Sequence, residues 1–282
     1  MFEPVIKWSG SKRSQAEAIV SFFPKNIGTY YEPFCGGASV LRRLLSSRIK
    51  VAHYVCSDIN GGLIGLWNAI KDKPYDVVEH YRKLWTEMHA IDNIEGKKEY
   101  FSKVRSRYNE TEDPLDFMFI MRTTTNGMPR YNRDGEFNNT LHVTRDGITP
   151  DKLSEIVFEW GSLLNMKNVE FRHCSYNEIN PKAGDFVYLD PPYANTKGMY
   201  YGAIDNDALW DWMHGLKCAY ALSFGGVSGS DDNTYEVPRY LYDRHEYIIS
   251  GNSSFNRLFV GKKNNVVYES IYLKGCEGKR LF

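Results

Sequence analysis

The chain has 282 residues, 35 basic and 35 acidic side chains, a formal charge of zero and 42% hydrophobic content. This composition excludes a disordered or collagen-like chain and a non-specific polycation; the length allows one large domain or two intermediate ones. Aromatic residues reach 15%, enough to fill a core and to offer stacking surfaces to planar ligands or bases.

The opening stretch, Met1-Phe2-Glu3-Pro4-Val5-Ile6-Lys7, has no basic segment followed by an apolar one, so no signal peptide is expected. The longest apolar run, Phe117–Met121, is far short of the roughly 20 residues of a membrane span. Cys35, Cys56, Cys174, Cys218 and Cys276 include no Cys-x-x-Cys pair, which fits a reduced, soluble, cytoplasmic chain. The histidines show no metal-ligand spacing, so no metal is expected.

Strand-type apolar runs fall at Thr29–Tyr31, His53–Ser57, Val169–His173, Phe186–Leu189, Tyr220–Phe224, His245–Ile249 and Val266–Leu273. Helical patterns flank several of them, which predicts an α/β sheet. Leu63 to Leu164 has no convincing buried strand. Val77, Val78, Tyr81, Leu84, Trp85, Met88 and Ile91 form a helical stripe, Asp113-Pro114 starts a helix through Arg122, and Leu153, Ile156, Val157 and Trp160 mark another. Between the last two lies Thr123–Thr149, polar and rich in Asn, Arg and Gly, which predicts a hairpin and loops. A cofactor domain, residues 1–71 and 166–282, is therefore expected to carry an inserted recognition domain, residues 72–165.

Four stretches carry chemistry. In Tyr30-Tyr31-Glu32-Pro33-Phe34-Cys35-Gly36-Gly37-Ala38-Ser39-Val40 a strand runs through glycines into a helix, so the backbone can approach a ligand closely; a plain strand-to-helix turn has the same appearance. Asp58, in Asp58-Ile59-Asn60, follows about 20 residues later, where nucleotide-type folds bind ribose hydroxyls; it also suits the N-cap of a helix over Asn60–Ile70. In Asp185–Tyr193 a buried strand delivers Asp190, then Pro191 and Pro192, which stiffen the backbone, then the Tyr193 ring. The Asp190 carboxylate and the Pro191 carbonyl are two acceptors suited to an exocyclic amino group on a planar substrate. Lys7-Trp8-Ser9-Gly10-Ser11-Lys12, taken alone, reads as a surface turn.

In this order the four stretches resemble the Dam-type, D12-class DNA adenine-N6 methyltransferases. The Lys-Trp-x-Gly-x-Lys pattern of that family matches Lys7, Trp8, Gly10 and Lys12; Glu-Pro-Phe-x-Gly matches Glu32 to Gly36; Asp-Ile-Asn matches Asp58 to Asn60; Asp-Pro-Pro-Tyr matches Asp190 to Tyr193. The recognition segment of the family matches Arg122, Asn126-Gly127-Met128-Pro129-Arg130-Tyr131-Asn132 and Gly135-Glu136-Phe137-Asn138. The likeness spans roughly residues 7 to 225.

The resemblance implies a Rossmann-like S-adenosylmethionine-dependent sheet with an inserted, mainly helical DNA-recognition domain. It implies transfer of methyl to N6 of a flipped-out adenine in double-stranded DNA. Trp8, Lys12, Phe34, Gly36, Asp58 and Asp190 would hold the cofactor; Asp190, Pro191, Pro192 and Tyr193 would form the catalytic quartet. Arg122, Asn126, Arg130, Asn132 and Arg133 would meet DNA. Arg130 is suited to O6 and N7 of guanine, with a phosphate contact or an ion pair to Asp134 or Glu136 as its plainer roles. Arg122, Arg133 and Arg145 suit phosphates, and Lys262 and Lys263 also suit the DNA backbone. A monomer is expected, with a dimer as the alternative.

Members that methylate GATC usually place an aromatic before Asn-Gly and Val-Pro after Glu-Phe-Asn; here stand Thr125 and Asn139-Thr140-Leu141-His142. The resemblance therefore implies adenine chemistry without implying GATC. An N4-cytosine methyltransferase more often has Ser-Pro-Pro-Tyr, so Asp190 favours adenine. A catalytically silent DNA-binding protein on the same scaffold leaves the intact quartet unexplained. A nicotinamide dehydrogenase would explain neither that quartet nor the Arg/Asn-rich insert.

Overall fold

A computed structural model describes residues 3–125, 129–144, 147–192, 204–228, 231–232, 236–252 and 266–276. In chain order the elements are α1 (Ala16–Ser21), β1 (Asn26–Glu32), α2 (Ser39–Leu45), β2 (Lys50–Asp58), α3 (Gly61–Asp72), α4 (Pro74–His89), α5 (Ile94–Thr111), α6 (Pro114–Thr123), α7 (Pro150–Met166), β3 (Val169–His173), β4 (Phe186–Leu189), α8 (Asn206–Gly215), β5 (Ala219–Ser228), β6 (Asp231–Asp232), β7 (Arg244–Asn252) and β8 (Val266–Lys274). Each predicted strand is present. Two compact units are formed: one of Met1–Ser11, Ser57–Ser175 and Thr196–Ala203, the other of Lys12–Cys56, Tyr176–Asn195 and Ile204–Phe282.

The second unit holds the sheet path β2-β1-β4-β5-β8-β7. Strands β2, β1, β4 and β5 are mutually parallel, whereas β8 runs antiparallel between β5 and β7. All four residues of β4 are buried, as a strand covered on both faces requires. Its side chains alternate. Phe186 and Tyr188 join Phe23 on one face, while Val187 and Leu189 pack with Leu209, Met213, Leu222 and Phe224. At the start of β4 the Asp185 carboxylate accepts from Thr29 N at 2.7 Å and Lys182 N at 2.8 Å. A Cβ on Gly28 would meet that carboxylate at 2.8 Å, which explains the glycine in β1.

The first unit is helical around α6. The run Phe117–Met121 is fully buried there, because a helix that is apolar all round must be enclosed. Asp113 caps α6 by accepting from Leu115 N at 2.8 Å, and Pro114 takes its first turn. Helices α3, α4 and α5 pack against it. The 18-residue α5 has only Phe101, Val104 and Tyr108 buried, too narrow a stripe to stand out in the sequence.

The unit boundaries lie at Ser57 and Ser175, outside the expected insert of residues 72–165. Helix α3 and β3 pack with α7 in the first unit: the Trp67 ring lies 4.9 Å from Trp160 and stacks on Phe171 at 5.5 Å. Burying these large rings together joins elements that sequence order had separated.

Candidate active site

In the second unit, β1 runs into the glycine turn. Gly36 has φ 45° and Ala38 φ 52°, and Ala38 N donates to Cys35 O at 2.7 Å before α2 begins. The left-handed backbone at Gly36 costs little without a Cβ. Phe34 is half-buried, its ring centroid 5.6 Å from that of Tyr176.

Just before the turn, Glu32 is buried and accepts from the Tyr30 hydroxyl at 2.7 Å. Burial, reinforced by the Asp190 charge and opposed by hydrogen bonds from the Tyr30 hydroxyl and the Leu41 backbone N–H, pushes its carboxyl up to about 8. Glu32 thus keeps its proton at neutral pH. An acid held above its unfolded pKa stabilises the fold fully below the unfolded value, and that contribution is lost as pH rises through the folded value. Glu32→Gln is expected to remove the loss of stability between about pH 4.5 and 8 that this group imposes. Urea unfolding across that range checks it; an unchanged pH dependence would show that Glu32 titrates normally.

Strand β4 ends at Leu189 and delivers Asp190 to the carboxyl edge of the sheet, followed by buried Pro191 and half-buried Pro192. Lys12 Nζ lies 2.9 Å from Asp190 Oδ1 and 2.5 Å from Glu269 Oε1. Gln15 Nε2 donates to the other Glu269 oxygen at 3.1 Å. One ammonium therefore serves two carboxylates with little water around them. Burial drives the Asp190 carboxyl up to about 6, Lys12 pulls it down, and Glu269 adds to the rise. Glu269 was not among the predicted site residues. The sequence shows only an acid within the apolar run Val266–Leu273; that it is 8% exposed is set by the fold.

In the first unit, Asp58 ends β2 and its Oδ1 accepts from Asn60 N at 3.1 Å. The N-cap of α3 is Asn60, whose Oδ1 accepts from Leu63 N at 2.9 Å; the alternative of Asp58 as the cap is thereby corrected. Asn60 Nδ2 donates to the Tyr131 hydroxyl at 2.7 Å. Trp8 lies in a turn closed by Ser11 N on Trp8 O at 3.3 Å, with Gly10 at φ 73°.

Tyr131 belongs to the predicted hairpin, which forms with antiparallel bridges Thr124–Leu141 and Tyr131–Phe137. Phe137 is buried, and Asn109 clamps its backbone by accepting from Phe137 N at 2.9 Å and donating to Phe137 O at 3.0 Å. Asn132 holds the tip: Oδ1 accepts from Asp134 N and Glu136 N, and Nδ2 donates to Glu136 Oε2 at 2.8 Å. Its amide is thus engaged in shaping the loop. Arg130 and Arg133 are exposed beside it. Arg130 N donates to Asn139 Oδ1 at 2.6 Å, and neither guanidinium forms an ion pair among the described residues.

Arg122 departs from the expected phosphate contact. It is 8% exposed within α6, Nη2 donates to Pro4 O at 2.5 Å, and burial lowers its pKa to about 10. A guanidinium so enclosed ties the amino-terminal segment to α6 and does not face solvent. Tyr193, Asn126, Arg145, Lys262 and Lys263 lie outside the described residues. His80, Asp113 and Asp116 place ligand-type atoms within 4.8 Å of one another. The Asp116 carboxylate is already held by Arg107 at 2.5 Å through both oxygens and by His80 at 2.7 Å, an ion-pair network that accounts for the cluster.

The chain belongs to the D12 class N6 adenine-specific DNA methyltransferases, whose family profile matches residues 8–222. It is an adenine-specific DNA methyltransferase with a Rossmann-like, mostly parallel sheet. It is 32% identical to a type II methyltransferase of Methanocaldococcus jannaschii over 99% of this chain and 92% of that protein. It is 30% identical to the DNA adenine methylases of Vibrio cholerae and Escherichia coli, over 67% of this chain and 64% of each. Among the described residues no helix is long and apolar enough to cross a membrane.

Proposed function

We propose that the chain binds S-adenosylmethionine through Trp8, Lys12, Phe34, Gly36, Asp58 and Asp190, and methylates N6 of an adenine flipped out of double-stranded DNA. The observation that carries this reading is the placement of two motif turns at the carboxyl ends of adjacent parallel strands. Pro33 to Gly36 follows β1, and Asp190 to Pro192 follows β4. In the path β2-β1-β4-β5, connections leave β1 and β4 to opposite sides, and open α/β sheets bind ligands at such a switch point. The residues suit the cofactor: a glycine turn for close approach, the Phe34 ring as an apolar wall, and the Asp58 carboxylate for ribose hydroxyls.

When bound, the cofactor supplies an electrophilic methyl group on a sulfonium. The protein's task is then positioning and electrostatics. The lone pair of the adenine amino group is delocalised into the ring. Accepting its two hydrogens at the Asp190 carboxylate and the Pro191 carbonyl draws the nitrogen toward tetrahedral geometry and frees that lone pair. The base must leave the stack to be reached, and Tyr193 stacks on it. Arg130, exposed on its hairpin, reads guanine, and Arg133 meets phosphate. The enzyme works as a monomer in the cytoplasm.

The test is incubation with methyl-labelled S-adenosylmethionine and unmethylated genomic DNA, with the labelled nucleoside identified by mass spectrometry. N6-methyladenine is the expected product; N4-methylcytosine, or no label, would overturn the reading. In the same assay Arg130→Ala should flatten the preference among sequence contexts, a loss of about 1–3 kcal/mol of discrimination, while cofactor affinity holds. Unchanged site choice would remove Arg130 from the reading role.

A further inference from the structure

We infer that the Asn60–Tyr131 hydrogen bond couples the turn carrying Asp58 to the hairpin presenting Arg130, so that cofactor occupancy and DNA recognition depend on each other. The inference rests on the reading above, in which Asp58 holds the cofactor and Arg130 meets DNA.

The bond joins residues 71 apart in sequence at 2.7 Å. Asn60 has little freedom. It is 4% exposed, its Oδ1 is committed to Leu63 N, and its own N–H is taken by Asp58 Oδ1. With one amide oxygen fixed at the helix cap, the orientation of Nδ2 follows from the position of the Asp58 turn. On the other side, the Tyr131 ring meets Phe137 edge-on at 5.6 Å, and Asn109 anchors the Phe137 backbone to α5. The next residue back is Arg130, whose backbone N–H is fixed by Asn139.

A chain of directional bonds thus runs from Asp58 through Asn60 and Tyr131 to the backbone that carries Arg130. Moving the Asp58 turn must either shift the Tyr131 hydroxyl or break a partly buried hydrogen bond, which is costly when both partners are desolvated. Ring packing alone does not need the hydroxyl, since phenylalanine would meet Phe137 equally well. Asn60 and Tyr131 are therefore positioning residues; neither need touch the reacting atoms.

The test measures binding of unmethylated genomic DNA fragments with and without saturating S-adenosylhomocysteine, the unreactive demethylated cofactor. In the wild-type protein the cofactor should tighten DNA binding about fivefold or more, the lower range of ordinary coupling between sites. Tyr131→Phe should abolish that tightening while leaving S-adenosylhomocysteine affinity without DNA within about twofold of wild type. Asn60→Ser keeps a capping side chain and removes the amide donor, so it should lose the same coupling. The double variant should lose no more, as expected of two partners in one bond. Full tightening in Tyr131→Phe, or none in the wild type, would overturn the inference. A wild-type protein that transfers no methyl group would overturn the functional reading itself. A wild-type enzyme that transfers normally, with Tyr131→Phe indistinguishable from it in coupling, would overturn the coupling alone.

Discussion

Asp190→Asn is expected to lower the rate of methyl transfer by about 10²–10⁴-fold, the range contributed by a positioned proton-accepting group. The substitution keeps the shape of the side chain and removes the anionic acceptor proposed for the adenine amino group. The fold should survive it. Burial already disfavours the charged form of Asp190 and holds its carboxyl at about 6, so a neutral isostere relieves a cost. The sign follows from proton binding. An acid raised in the folded state contributes stability that is fully present below its unfolded pKa and is lost as pH rises through about 6. Wild-type activity should do the opposite, rising through about pH 6 as Asp190 ionises. Rate and thermal midpoint measured together would separate these effects. Turnover like that of the wild type in Asp190→Asn would sink the catalytic assignment.

The second large effect is expected from Lys12→Met. Lys12 Nζ is within 3 Å of both Asp190 and Glu269, and all three side chains are largely withdrawn from water. Removing the Lys12 ammonium leaves two acids facing each other, and breaking a buried pair in this way costs about 3–5 kcal/mol. The loss of Lys12 also removes the attraction that lowers the Asp190 pKa. The acid limb of the pH–rate profile should therefore move to higher pH, and activity at neutral pH should fall with it. Urea unfolding and a pH–rate series check both halves. A variant with wild-type stability and an unmoved acid limb would show that Lys12 is not the counter-ion of this site.

Much of the fold was legible because its signals are local. Phe186–Leu189 is an unbroken apolar run and becomes a strand buried on both faces. Asp113-Pro114 announces the start of α6 by cap and fixed φ. The glycine turn after β1 and the turn from Asp190 to Pro192 after β4 were readable because each is a run of consecutive residues. What escaped was long-range or weakly patterned. Helix α5 hid behind a polar surface with three buried residues. Arg122 read as a DNA contact because sequence shows its charge and not its burial among Pro4 and Glu3. Glu269 reaches Lys12 only after a strand 257 positions later pairs into the sheet, and Asn60 meets Tyr131 only when the hairpin folds back. The departure at Asn139, which marked a divergent target segment, proves to fix the backbone of Arg130.

The pairing of β1 with β4 sets a timetable for the growing chain. Tyr30 and Tyr31 register with Phe186 and Val187, so one edge of β1 has no native neighbour until some 150 further residues have left the ribosome. At roughly 5–20 residues per second that interval is on the order of ten seconds. During it, the whole helical unit from Ser57 to Ser175 is synthesised and can bury Phe117–Met121 by itself, while the open strand edge is a hazard for pairing with other chains. Slower synthesis across the helical segment is expected to lengthen the time for which that strand edge stands open.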